Sequence, residues 1–167
     1  STANKDESVS VKPENLCRVL KYLKDSKSCE QLTDVIGVDY PEKAERFEVN
    51  YLLRSIANNN RINIKVAVEE GMEVPSVSDI YTSANWAERE VFDLYGVKFS
   101  GHPDLRRILC HHEFEGHALR KDYPIEQGQF LSAPEKLIDD LEYNGGAFRA
   151  DEVEDQENPF DLLNVNI

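Results

Sequence analysis

Residues 88–124 read E-R-E-V-F-D-L-Y-G-V-K-F-S-G-H-P-D-L-R-R-I-L-C-H-H-E-F-E-G-H-A-L-R-K-D-Y-P. Glu88 to Tyr95 continues a helical pattern, but beyond Gly96 neither the helical period nor the strand period persists. Charges, aromatics, glycines and prolines alternate too irregularly for one element to run through. The stretch is nevertheless rich in bulky side chains that need burial. A segment of that composition takes its order from a surface it lies against. It points to a component of an assembly before it points to an enzyme acting alone.

Outward from this stretch the periods become regular. Ile80, Ala84, Ala87, Val91 and Leu94 form one apolar stripe of a helix ending near Tyr95. Ser76 or Ser78 is placed to cap its start, and Gly96 to end it in the left-handed conformation. Gly71 and Pro75 break the pattern before it. Ile62, Ile64, Val66 and Val68 alternate with Asn63, Lys65, Ala67 and Glu69, and Phe47, Val49, Tyr51 and Leu53 alternate likewise. The run Asn58-Asn59-Asn60 marks the turn between these two strands. Leu32, Asp34, Ile36, Val38 and Tyr40 read as one face of an earlier strand that Pro41 closes. Pro13 to Asp25 reads as a helix with Leu16, Val19, Leu20 and Leu23 on one side.

These elements predict an α+β fold: a small, largely antiparallel sheet packed with helices, followed by an extended, irregular C-terminal arm. The expected divisions are an α+β domain over residues 1–97, a docking arm over 98–125 and an acidic tail over 126–167. Pro134 to Leu141 is a candidate for one late helix.

Charge narrows the function classes. The chain carries −13, and residues 126–167 hold eleven acids against Lys136 and Arg149. The tail reads as a solvated extension or as a tether for a basic partner. No basic patch suggests nucleic acid. The apolar runs fall far short of the roughly 20 residues that span a bilayer. Ser1 to Ser10 has no apolar core of a signal peptide, so the expected location is cytoplasmic or peripheral on that side of a membrane.

Cys17, Cys29 and Cys110 are widely spaced and supply neither a cluster ligand set nor a zinc knuckle, so they are expected as reduced thiols. His102, His111, His112 and His117, with Glu113 and Glu115 among them, make the best case for a metal. His112-Glu113 starts an H-E-x-x-H pattern, but position 116 is Gly and the next histidine falls one residue late. No phosphate-binding loop and no nucleophile elbow occurs. In Glu88, Arg89, Glu90 and Asp93, the spacing lets Arg89 pair with Asp93 one turn on. An acid–base pair is the catalytic reading of these residues; the structural one is a charged helix face pairing with cations, for which Arg106, Arg107, Arg120 and Lys121 lie downstream in a segment expected to fold back over it.

The same residues carry a resemblance. E-R-E-V-F-D-L-Y, His102 after six residues and Arg106-Arg107-Ile108-Leu109 after three more closely resemble the signature of the 30 kDa-subunit family of respiratory complex I. The likeness continues through G-H-A-L-R-K-D-Y-P, where Ala118 stands in place of the family's common proline. Gly37 to Pro41 and Val74 to Val77 resemble the family too, so it covers about residues 13–124. The resemblance implies an α+β domain with an extended arm, packed on the 49 kDa-type subunit beside the quinone site. It implies no cofactor on this chain, with flavin, iron–sulfur clusters and quinone in partner subunits. It also implies a peripheral place on the cytoplasmic side of the bacterial inner membrane, or the matrix side in a mitochondrion, touching the membrane only through the complex. Glu88, Arg89, Glu90, Asp93, His102, Arg106, Arg107, Arg120 and Lys121 would then be motif and interface residues, with Phe99, Leu105, Phe114, Leu119 and Tyr123 as apolar anchors. The alternatives are the homologous subunit of a membrane-bound hydrogenase-type complex and a free-standing histidine-based metal enzyme.

Overall fold

The long strands follow directly from the alternating runs. In this computed structural model, which describes residues 7–126 and 129, β2 (Gln31–Asp39), β3 (Phe47–Ser55) and β4 (Asn60–Val68) form an antiparallel meander. β1 (Glu7–Ser10) adds a parallel edge, giving the order β1-β4-β3-β2. Phe47, Val49, Tyr51 and Leu53 of β3 and Ile64, Val66 and Val68 of β4 are all buried on one face. Against that face pack Leu16 and Leu20 of α1 (Leu16–Lys27) and Ala84 and Val91 of α2 (Ala84–Tyr95). The fold is α+β, with the opposite sheet face left to polar and half-buried side chains.

A single turn of 3-10 helix, Pro13–Asn15, leads into α1, where proline's fixed φ suits a first turn. Three corrections to the sequence reading have physical causes. A β-bulge between Leu32 and Asp34 inverts the parity of β2. Val35, Gly37 and Asp39 therefore face the core, while Ile36 is 42% exposed. The helix expected from Ser76 begins only at Ala84, because Ser76 and the Val77 N–H are bound by the Glu88 carboxylate reaching back from α2. The third concerns two short strands, β5 (Glu73–Pro75) and β6 (Lys98–Ser100), which pair in parallel. Three residues each are too few to show a period, and the irregular stretch starts only after Ser100.

Residues 130–167 lie outside the described residues, and with them the helix expected at Pro134 to Leu141 and nearly all of the acidic tail.

One glycine is fixed by packing. At Gly37 a Cβ would lie 2.6 Å from the Tyr95 ring, so helix α2 can close on β2 only where no side chain stands. Gly37→Ala is expected to cost about 1–3 kcal/mol by overpacking. Urea denaturation measures it, and in a Tyr95→Leu background the cost should shrink. An unchanged midpoint in the single variant would show that this contact does not limit the packing of α2.

Candidate functional site

Two acids of α2 have no solvent exposure, and they serve opposite sides of the helix. Glu88 and Asp93 are five residues apart, which turns them by about 140° at 3.6 residues per turn. Each is 0% exposed.

Glu88 faces the segment before its own helix. Ser76 Oγ donates to it at 2.6 Å and the Val77 N–H at 2.8 Å. His102 completes the cluster, with Nε2 3.9 Å from the Glu88 carboxylate. The Asp104 N–H donates to His102 Nδ1, so Nδ1 is bare and the ring proton sits on Nε2. That proton is donated to the Asn85 carbonyl at 3.1 Å. Burial pushes the Glu88 carboxyl above its ordinary range, and the bonds from Ser76 and Val77 only partly offset it.

Asp93 organises the irregular segment. Its Oδ2 accepts three successive backbone N–H groups, from Ile108 (3.0 Å), Leu109 (2.7 Å) and Cys110 (2.8 Å). Its Oδ1 accepts Arg107 Nη1 at 2.8 Å. Burial alone would raise this carboxyl, but the three N–H groups and Arg107 outweigh it and hold Asp93 below the ordinary aspartate range. Arg107 also donates to the Gly116 carbonyl, tying the two ends of this loop together.

The same segment satisfies the end of α2. The last carbonyls of a helix lack intrahelical donors. Here His117 Nδ1 donates to Asp93 O, the Leu119 N–H to Leu94 O and Arg120 Nε to Tyr95 O. Gly96 closes the helix at φ 79°, and a Cβ there would meet His117 Nε2 at 2.5 Å. Residues 101–123 are thus a strap bound to α2 of the same chain.

A second carboxylate fixes the end of the strap. Asp39, 4% exposed, takes Arg46 Nε and Nη2 at 2.8 and 3.0 Å and the Lys121 N–H at 2.8 Å. Arg46 further pairs with Glu70 and Asp122, and Arg120 with Glu70. Sequence reading did not single out Arg46 or Glu70. Their only local signal is a charge beside a turn.

The expected site residues therefore divide. Glu88 meets His102, and Asp93 meets Arg107. Arg89 does not pair with Asp93: its guanidinium binds the Arg106 and Arg107 carbonyls and lies over the Trp86 ring. Glu90 is exposed. Arg106 forms a bidentate pair with Asp104 and stays 75% exposed. Lys121 contributes its backbone N–H. Of the expected anchors, Phe99 is in the chain's own core, Leu105 packs against it, Phe114 stacks on Tyr123, and Leu119 is 48% exposed. Trp86 and Leu109 are more exposed, each at 63%, and the sequence reading named neither as an anchor.

His111 and His112 lie ring beside ring, 4.1 Å between centroids, while His102 and His117 are committed to carbonyls. Among the described residues no group of three or more histidine, cysteine or acidic side chains converges as a metal requires. The three cysteines are free thiols, each pushed up in pKa chiefly by burial. Among the described residues no helix is long and apolar enough to cross a membrane.

Comparison with known proteins places this arrangement. Residues 9–129 match the family model described as the respiratory-chain NADH dehydrogenase, 30 Kd subunit. The C subunit of the NADH-quinone oxidoreductase of Paramagnetospirillum magneticum is 52% identical over 120 residues, covering 71% of this chain and 60% of that protein. NADH-ubiquinone oxidoreductase subunit 9 of Reclinomonas americana is 51% identical over 117 residues, 69% of this chain and 57% of that one. The chain thus spans less than two thirds of the length of either relative. A chain in the structure of the membrane-bound sulfane sulfur reductase, an archaeal respiratory membrane complex, shares the fold. Its TM-score is 0.65 at 23% identity, over 75% of this chain and 76% of that one.

The two buried acids have opposite pH signatures. Asp93, lowered in the folded chain, contributes stability that is present above the unfolded pKa of about 4 and is lost as pH falls through its folded value. Glu88, raised, contributes stability that is present below its unfolded value and is lost as pH rises through its folded one. At neutral pH Asp93→Asn should cost about 2–4 kcal/mol, because an amide cannot receive three N–H donors and Arg107 as a carboxylate does. It should also flatten the acid limb of stability. Glu88→Gln should cost far less. Chemical denaturation between pH 3 and 7 (roughly the window of these titrations) checks both, and equal losses for the two variants would contradict the assignment.

Proposed function

The chain belongs to the 30 kDa subunit family of the respiratory-chain NADH dehydrogenase, and on that premise we propose that it is a non-catalytic structural subunit of the proton-translocating NADH:quinone oxidoreductase. Its place is in the peripheral arm, against the 49 kDa-type subunit near the quinone site. Flavin, iron–sulfur clusters and quinone belong to partner subunits. The chain is held on the cytoplasmic side of a bacterial inner membrane, or the matrix side of a mitochondrial one, through the complex.

One observation carries the structural role. The charged motif is spent inside the chain: Glu88 on Ser76 and Val77, Asp93 on the Ile108–Cys110 amides, His102 and His117 on carbonyls. A catalytic acid or base needs a proton path to substrate, and these groups instead shape a surface. The surface they hold out carries Trp86 and the Arg106 guanidinium, residue types that anchor interfaces, with Leu109 exposed as well. Identity near one half to relatives named for NADH-quinone oxidoreductase favours the NADH-linked assembly over a hydrogenase-type one.

Arg106→Ala leaves the chain's core untouched, since the side chain is exposed. It should lower the yield of assembled complex roughly fivefold, the effect of about 1 kcal/mol at an interface. NADH:quinone turnover per intact complex should stay near wild type. Normal assembly with lost turnover would overturn the structural reading.

A further inference from the structure

The open face of the four-stranded sheet holds a pair of cations that the described chain leaves unbalanced. Arg54 of β3 and Arg61 of β4 are direct cross-strand partners, so both side chains leave the same face. Like charges in that position repel. The acids that share the face, Glu48 and Asp34, pair with neither arginine. Glu48 holds Lys65 at 3.3 Å and Asn50 at 3.2 Å, and Asp34 Oδ1 accepts the Val35 N–H. Among the described residues, none of the ion pairs includes Arg54 or Arg61.

A second observation concerns the donors themselves. Arg54 Nε is shielded from solvent and has no hydrogen-bond partner among the described residues, a state that costs free energy until an acceptor arrives. The two arginines border a concavity of about 370 Å³, walled also by Ser8, Thr33, Leu52 and Asn63. It offers two guanidinium forks and two hydroxyls beside one apolar wall. The geometry matches carboxylates, which guanidinium groups bind bidentately. The chain's charge of −13 repels anions at long range, a long phosphate polymer most of all, so what docks here is a short segment held by contact with this local pair.

We propose that the Arg54–Arg61 end of the open sheet face is a docking site for carboxylate side chains of an acidic protein segment, supplied by another subunit of the same assembly. Only the source of that segment rests on the subunit reading. In the free chain the pair is a liability; in the docked state each guanidinium gains a counter-charge and Arg54 Nε gains its acceptor.

The test uses the full chain and an Arg54→Gln/Arg61→Gln variant. In isolation the variant should melt no lower than wild type, because the repulsion is gone. Expressed together with wild type in equal amounts, its share of the purified complex should fall about tenfold or more, as for removal of one side of a desolvated ion pair. A second arm needs no complex. The isolated chain is titrated with an oligoglutamate peptide while the Arg54 and Arg61 Nε–H signals are followed by NMR, with inorganic phosphate at equal charge as control. Shifts at both arginines with the peptide, and smaller ones with phosphate, are expected. Equal incorporation of the variant overturns the proposal. A lowered melting temperature that accounts for the lost incorporation overturns it too, as do shifts that phosphate reproduces in full. If wild type itself stays out of the complex while the peptide shifts persist, the site stands and the subunit reading fails.

Discussion

The buried carboxylate of Asp93 is the constraint on which the irregular half of the structure depends. A charge with no solvent exposure is tolerable only when its lone pairs are filled. Asp93 fills them with three consecutive amides and one guanidinium, all from residues 107–110. Successive N–H groups converging on one point form an anion site, and here the anion belongs to the same chain. Asp93 also lies in the last turn of α2, where the helix dipole opposes a negative charge. Arg107, Arg120 and the His117 donor gather at that end and offset both costs. The strap is therefore ordered by charge and hydrogen bonding more than by apolar burial.

Glu88 shows what the same residue class does without such compensation. It receives two hydrogen bonds and a neutral histidine, no guanidinium, and burial leaves its carboxyl raised. Asp93, one and a half turns away, is lowered. One helix thus carries two acids of opposite character. Together they tie the lead-in at Ser76, the His102 turn and the 107–110 loop to α2. The surface that results is rigid from beneath and apolar at Trp86 and Leu109, which suits a docking element whose chemistry lies in its neighbours.

Much of this was legible in the residues. β3 and β4 follow from unbroken alternation, and Gly96 ends α2 at a positive φ, as its place after Tyr95 implies. The bulge at Leu32/Asp34 was not legible, because alternation on paper looks the same on either face until an extra residue inverts it. The charged face of α2 is legible as one that pairs with downstream cations, and Arg107 does meet Asp93, but the expected Arg89–Asp93 pair does not form and the amide donors are not foreseen. Arg89 is the nearest cation in sequence, whereas the true donors to Asp93 are amides 15 to 17 positions away, and a backbone N–H has no signature in a sequence. The roles of Arg46 and Asp39 are not legible for the same reason: Asp39 takes a backbone N–H, that of Lys121, from 82 positions away.

The most direct test of this account is amide hydrogen exchange at Ile108, Leu109 and Cys110 in the isolated chain. If Asp93 orders the strap, these three amides exchange slowly although they lie in an irregular segment. In an Asp93→Ala chain they should exchange at loop rates while the β3 amides stay protected. Fast exchange at all three in the wild-type chain, or protection unchanged by the substitution, would contradict it.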